Sequence, residues 1–351
     1  MEICLALASD RRYFPGVCLT LASALRRSRA EHTYRVWVFH DGYREAEKKR
    51  LRRLAGKIKR RLELTFVAIG QERFAALNPQ RNGSYLAYAP FLFAETIPAQ
   101  RLIFYDCDII VLHPLEKLAT LDLEGNLLAG CVDRWMPTLA DDCPWPLSAA
   151  EEKLPYLNTG LLVIDLEKWR EEDVTGQFWQ LAQGDCPHLR YHDQTLLNYF
   201  ARQQIKVLPE GWNGLLWSED DLVRFAAKPE KLPNLHLVTQ PKPWKEARLS
   251  FGAEIWWQAF SACFGRTELV AQRGRQICQD RQIFRDELLS WWTRLFLAQR
   301  PKTGTAENAD ATTDPSEPRR QYVAQRRRSI ERNQAALAVI NRQLRRQLGT
   351  E

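Results

Sequence analysis

The chain has 351 residues, 45% of them hydrophobic and 11% aromatic, which excludes a disordered protein and supplies core for one large domain or two modest ones. Lys and Arg outnumber Asp and Glu by 50 to 43, but nine arginines against one glutamate fall within 319–348, so the basic character belongs to the tail and not to the body. Eight scattered cysteines without a C-x-x-C pair argue against a zinc module and a disulfide framework, and fit a reducing compartment.

In chain order, the opening M-E-I-C-L-A-L-A-S-D has an acid at position 2 and no basic leader, so residues 3–9 read as a strand and not as a signal peptide. No run approaches the roughly 18 apolar residues of a membrane span. A cytoplasmic protein is expected. After Tyr13 and Pro15, residues 16–28 read as a helix; Y-R-V-W-V-F-H-D (34–41) alternates like a strand, and the charged run 45–60 reads as an exposed helix. Residues 62–69 form a third strand. L-I-F-Y-D-C-D-I-I-V-L (102–112) is the most apolar strand, interrupted by two acids, and 126–133 and 158–166 are further strands, the last followed by a helix opening at Glu167. This alternation predicts an α/β fold with a mostly parallel central sheet. Ligands in such sheets sit beyond the carboxyl ends of the strands, where Ser9, Asp10, Asp106, Asp108 and Asp133 fall. Twelve tryptophans are read first as core residues, with sugar-stacking or interfacial rings as the alternative.

Asp106 and Asp108 carry the strongest chemical signal. In an extended chain, residues two apart point to the same side, so both carboxylates can share one hard divalent cation. Two ionised acids inside an apolar strand would otherwise cost several kcal/mol. The competing reading ends the strand at Tyr105 and leaves the acids capping a turn. A second constellation, H-L-V-T-Q-P-K-P-W (236–244), offers His236 as a further metal ligand and Lys242 as a partner for phosphate. Between them lie Leu157-Asn158-Thr159-Gly160, entering an apolar strand, and His192-Asp193-Gln194-Thr195, read as a helix start capped by Asp.

Six ordered segments within 1–265 resemble glycosyltransferase family 8, the retaining GT-A group. They are A-S-D-R-R-Y-F-P-G (8–16), Y-L-A-Y-A-P (85–90), L-I-F-Y-D-C-D-I-I-V (102–111), Y-L-N-T-G-L-L-V-I-D-L-E-K-W-R (156–170), H-D-Q-T-L-L-N (192–198) and the run 236–244. The resemblance implies a GT-A fold, a Rossmann-like sheet flanked by helices, and a hexose (glucose or galactose) moved from a UDP-sugar to a glycan or lipopolysaccharide-type acceptor. It also implies Mn²⁺, with Mg²⁺ as the other candidate, held by Asp106, Asp108 and His236. Asp10 and the backbone near Ala8 would receive the uracil, Asp106 would lie near the ribose, and Lys242 would contact the diphosphate. Asn158, Asp133, Asp193 and Gln194 would surround the donor sugar, the last two at its anomeric carbon. Gln is a poor nucleophile, so the favoured chemistry is same-face substitution with the leaving phosphate taking the acceptor proton. The chain departs from the family pattern at Pro90, where an arginine is usual, at Thr195, where a second acid is frequent, and at Thr239, where glycine is usual.

Beyond the catalytic region 1–265, residues 266–300 read as an amphipathic helical extension whose Phe284, Leu288, Trp291, Trp292 and Phe296 suit a membrane interface or the body's own surface. Residues 301–318 read as a linker and 319–351 as an Arg-rich helical tail with Val323, Ile330, Leu337 and Leu344 spaced by seven. An anionic membrane surface along 284–348, peripheral on the cytoplasmic face of the inner membrane, and self-association through 319–348 are therefore expected partners of second rank. Two other functions stay open: a nucleotide-sugar-binding protein that has lost catalysis, and, less favoured, a nucleic-acid-binding protein acting through the tail.

Overall fold

The structure, a computed structural model, describes residues 1–59, 61–74, 77, 84–183, 189–245, 252–265, 267–275 and 333–349. Its centre is a seven-stranded sheet in the order β3-β2-β1-β4-β7-β6-β8. The strands are β1 (Glu2–Asp10), β2 (Thr33–Asp41), β3 (Leu62–Ala68), β4 (Arg101–Tyr105), β6 (Leu128–Val132), β7 (Leu157–Asp165) and β8 (Ile205–Leu208). Only β7 runs against its neighbours; the pairs β1/β2, β2/β3, β1/β4 and β6/β8 are parallel. The mostly parallel α/β sheet expected from the sequence is present.

Strand alternation builds two cores, one on each sheet face. Along β4, Leu102 and Phe104 face one core while Ile103 and Tyr105 face the other, as the two-residue period requires. Helix α1 (Phe14–Arg27) covers the second face and is buried nearly all round, because its far side meets a third core. Helix α2 (Glu45–Gly56) instead keeps a charged outer side and buries only Leu51, Leu54 and Ala55. On the first face lie α3 (Phe93–Thr96), α5 (Leu166–Glu171), α6 (Val174–Gln183) and α7 (Asp193–Ala201), with α4 (Glu116–Ala119) on the opposite face.

The run 102–112 is not one strand. It ends at Tyr105, turns through Asp106-Cys107-Asp108 and resumes as β5 (Ile109–Ile110). The expectation of two carboxylates sharing one side of an extended strand is corrected here: a turn, not the strand pleat, brings them together. What draws the chain out of the main sheet is a second sheet, β5-β10-β9, with β9 at Gly214–Leu215 and β10 at Leu235–His236. Helix α8 (Glu219–Ala226) follows β9.

The third core joins that small sheet to Trp244, to helical residues 253–265 and to the C-terminal helix Gln334–Leu348. Leu337, Ile340, Leu344 and Leu348 are all buried there, so this part of the seven-spaced seam lies against α1 and α8. Arg27 donates to the Gln347 carbonyl at 3.2 Å and Asn333 to Glu219 at 2.7 Å. Residues 267–275 are helical. The cluster at 284–296, the linker and residues 319–332 fall outside the described residues. Among the described residues six cysteines are free thiols, and no helix is long and apolar enough to cross a membrane.

Candidate active site

The topology fixes where the chemistry gathers. In the order 3-2-1-4 the switch point lies between β1 and β4, and ligands of such sheets bind beyond the carboxyl ends of the strands there. Antiparallel β7 begins at that same edge, so Asn158 and Gly160 lie beside the end of β4, and Asp106 N–H donates to the Gly160 carbonyl at 2.7 Å. Asp133, just past β6, is tied to the same edge through its N–H to the Tyr156 carbonyl at 2.8 Å.

Asp106, Asp108 and His236 bring their ligand atoms within 4.8 Å of one another. His236 Nε2 lies 3.1 Å from Asp108 Oδ1 and 3.8 Å from Asp106 Oδ2. Its Nδ1 is 2.9 Å from the Asn213 side-chain oxygen. That oxygen accepts, so the proton sits on Nδ1 and the Nε2 lone pair is aimed at the two carboxylates. Asp108 Oδ1 is buried and has no hydrogen-bond donor. Two carboxylates and an imidazole lone pair converging with an orphaned oxygen fit a divalent cation and are repulsive without one.

Lys242 offsets part of that charge. It is 3% exposed, and its Nζ lies 2.7 Å from Asp108 Oδ2 and 2.6 Å from the Leu237 carbonyl. Burial alone would raise Asp108, but the Lys242 ammonium outweighs it and holds the carboxyl well below the usual range. Asp106 differs: desolvation and then the neighbouring Asp108 raise it above the usual carboxylate range, and 46% of its side chain is open to solvent. Asp108 is thus the fixed anion of the pair and Asp106 the one facing the ligand space.

Behind this group runs a chain of amides and a carboxylate. Asn213 donates to Asn158 at 2.8 Å, Asn158 to Asp133 Oδ2 at 3.1 Å, and Gln194 to the same oxygen at 3.3 Å. Thr159 N–H donates to Gln194 Oε1 at 3.1 Å and its hydroxyl to Asp193 Oδ2 at 3.3 Å. Asn158, Asp133, Asp193 and Gln194 are therefore brought together in one hydrogen-bonded group. Burial pushes Asp193 up to about 7, only partly offset by backbone N–H groups and Thr159. Asp193 opens α7 as its first residue, and His192 holds the cap position at φ +54°, so the expected Asp cap lies one residue earlier. Ala8 lies near the carboxyl end of β1. Asp10 is engaged locally: it accepts from the N–H groups of Arg12 at 2.8 Å and Tyr13 at 3.1 Å, and pairs with the Arg12 guanidinium at 2.6 Å.

Asn213, Asp142 and Asp221 do not stand out in the sequence. The W-N-G turn at 212–214 is the only signal for Asn213, and it reads as an ordinary loop. Asp142 is the acid that Thr195 meets. Its Oδ2 accepts from the Thr195 hydroxyl at 2.5 Å and from Tyr156 at 2.6 Å, so a carboxylate reaches α7 from another loop. Pro90 is buried in the 3-10 turn Leu86–Leu92 and brings no charge.

Comparison with known proteins decides the family. The Glycosyl transferase family 8 profile matches residues 4–248. The chain belongs to glycosyltransferase family 8. Among curated family relatives, glycosyltransferase GlyF of Streptococcus pneumoniae serotype 4 is 26% identical over 196 residues, covering 54% of this chain and 46% of that protein. General stress protein A of Bacillus subtilis is 24% identical over 207 residues, 58% of this chain and 69% of its own length. The chain aligns with less than half the length of the streptococcal relatives. Among solved structures, the galactosyltransferase LgtC, in complex with donor and acceptor sugar analogs, matches with a TM-score of 0.57 at 20% identity. That match covers 77% of this chain and 95% of LgtC. The apo bifunctional glycosyltransferase WbbM gives 0.59 at 16%, over 77% of this chain and 51% of its own. These structures share the GT-A fold with this family 8 chain.

One substitution tests how tightly the family 8 site is built. A Cβ at Gly160 would overlap the His236 ring, with Nδ1 at 2.7 Å. Gly160→Ala is therefore expected to turn His236 away from the carboxylates and cut transferase turnover by about 10²-fold, because a misplacement of about 1 Å costs that much. Melting temperature and steady-state kinetics check it; unchanged turnover would mean His236 has no placed role.

Proposed function

We propose that the chain is a retaining hexosyltransferase that moves glucose or galactose from a UDP-sugar to a glycan or lipid-linked glycan of the lipopolysaccharide type, using Mn²⁺. The observation that carries this reading is the meeting of two groups at one sheet edge. One is the metal-ligand set with Lys242; the other is the polar chain Asn213–Asn158–Asp133–Gln194.

Asp106, Asp108 and His236 would hold the cation, which when bound supplies positive charge against the donor diphosphate. Lys242 adds a second positive charge to the departing UDP. Asp10 and the backbone at Ala8 lie at the carboxyl end of β1, where the uracil is assigned. Asn158, Asp133 and Gln194 orient the hexose hydroxyls, and Asp193 and Gln194 face the anomeric carbon. In the step itself the anomeric C–O bond to phosphate breaks as the acceptor oxygen bonds the same carbon from the same face. The acceptor proton passes to the leaving phosphate oxygen, so configuration is retained and UDP departs.

Asp193→Asn separates catalysis from stability. A carboxyl raised to about 7 in the fold, against about 4 unfolded, binds protons more tightly folded than unfolded. Its stabilisation is therefore present at low pH and lost as pH rises through about 7. Removing it should raise the melting temperature at pH 8, by about 1–2 °C for each kcal/mol recovered in a chain of this length, with a smaller gain at pH 5. Turnover should fall at least about 10-fold. Thermal scans at both pH values and steady-state kinetics check the pair; unchanged turnover would remove Asp193 from the chemistry.

The experiment for the whole reading is UDP release from a panel of UDP-hexoses with Mn²⁺, with and without EDTA, followed by NMR of the product linkage. Release abolished by EDTA and an α-linked product are expected. A β-linked product, or release from no nucleotide-sugar, would overturn it.

A further inference from the structure

Resting on the donor assignment just given, we infer that Trp135 and Trp217 form the platform on which the acceptor stacks a pyranose ring, so the acceptor's terminal residue is itself a sugar. Most tryptophans described are buried or half-buried, among them Trp37, Trp169, Trp244, Trp256 and Trp257. Trp135 and Trp217 are the exceptions, 48% and 55% exposed, and their rings meet each other at 5.3 Å with a 47° tilt. Two indoles left in water beside one another forgo the burial that places other tryptophans in a core, and an amphipathic ring in that position suits a ligand with an apolar face and a polar rim.

The pair is held in place by the acid that also caps the start of α8. Asp221 is fully buried. Its Oδ2 accepts from the N–H groups of Trp217 and Ser218, each at 3.0 Å, while its Oδ1 pairs with Arg134 and with Arg224. One carboxylate therefore clamps the backbone of Trp217 to the residue next to Trp135, and the Arg134 guanidinium lies 5.5 Å over the Trp135 ring. Besides capping α8, this carboxylate fixes the backbone beside both exposed rings, which preorganises them for binding.

The platform also joins the donor pocket through a single side chain. Asp133 is 4% exposed; its Oδ1 accepts from Trp135 N–H at 2.9 Å while its Oδ2 accepts from Asn158 and Gln194. On the other side, Trp217 stands two residues beyond β9, which pairs with the strand carrying His236. The two rings are thus carried by backbone tied to Asp133 on one side and to the strand of His236 on the other. A pyranose lying on them would present its polar edge toward Asp133.

The test compares Trp135→Ala, Trp217→Ala and the aromatic-preserving Trp135→Phe in the full chain. Donor hydrolysis is followed as UDP release without acceptor, and transfer is measured to glucose-, galactose- and N-acetylglucosamine-terminated disaccharides. Each Ala variant is expected to raise the acceptor KM at least 10-fold while donor hydrolysis stays within twofold, and Trp135→Phe is expected to recover most of the loss. Equal acceptor KM in wild type and Ala variants would overturn the platform, as would parallel loss of hydrolysis and transfer. Saturation-transfer NMR of the same disaccharides gives a readout independent of turnover. A saturation-transfer signal that disappears in the Ala variants supports the platform even if no donor is turned over, an outcome that would count against the donor reading alone; a signal unchanged from wild type overturns the platform.

Discussion

Asp108→Asn should lower UDP-sugar turnover by about 10³-fold while leaving the fold in place. The magnitude follows from the two interactions this one carboxylate makes. Asp108 Oδ1 faces the His236 lone pair at 3.1 Å, and Oδ2 pairs with Lys242 at 2.7 Å. The amide keeps an oxygen for Lys242 but loses the negative charge that balances a cation. Asp108→Ala goes further, because it removes the accepting oxygen as well as the charge and leaves the buried Lys242 only the Leu237 carbonyl, and a lost hydrogen bond to a charged group costs about 1.5–3 kcal/mol. The expected pattern is therefore two inactive variants, of which only the alanine melts markedly earlier. Circular dichroism melts beside kinetics separate them; a fully active Asp108→Asn would contradict the assignment of this residue.

Leu344→Ala should destabilise the whole protein by about 2–5 kcal/mol, a fall of about 3–7 °C in melting temperature. Leu344 is fully buried in the core shared with Trp244 and Trp256. The C-terminal helix is thus continuous with the segment that carries Lys242, and not an appendage. Trp244 also stands against Gly16, where a Cβ would lie 2.7 Å from its Cη2, so α1, the turn 106–108 and the 236–244 segment close on one another. Removing 333–351 should be more damaging still, since four buried aliphatic side chains leave together, each contributing roughly 1.5–3 kcal/mol. A chain ending at 332 that melts like the full one would show that this helix adds nothing to the body.

Much of this is legible in the sequence, for identifiable reasons. β1, β2 and β3 are long runs whose apolar residues have no helical alternative, and their expected boundaries fall within two residues of those observed. Asp106, Asp108, His236 and Lys242 stand out because charged residues inside apolar runs need a partner. What stays hidden depends on pairings distant in the chain. The turn at 106–108 contains neither Gly nor Pro, and the apolar run continues through Leu112, so nothing local ends the strand at Tyr105. The break follows from pairing of Ile109–Ile110 with Leu235–His236, more than a hundred residues away. Strands of two residues have no periodicity to detect, which is why β9 and β10 leave no trace in the pattern. The seven-residue spacing of Leu337 and Leu344 marks an apolar seam correctly but cannot name its partner, which is α1 and α8. Asp221 reads as an ordinary acid in the first turn of a helix; only the fold reveals that it joins Trp217 to Arg134.

Mn²⁺ binding followed by electron paramagnetic resonance in the presence of UDP probes the three-residue metal site without relying on turnover. The wild-type chain is expected to take up one Mn²⁺, and Asp108→Asn and His236→Gln are each expected to lose it while remaining folded. Mn²⁺ uptake by wild type that neither substitution changes would contradict the assignment of Asp106, Asp108 and His236 as its ligands.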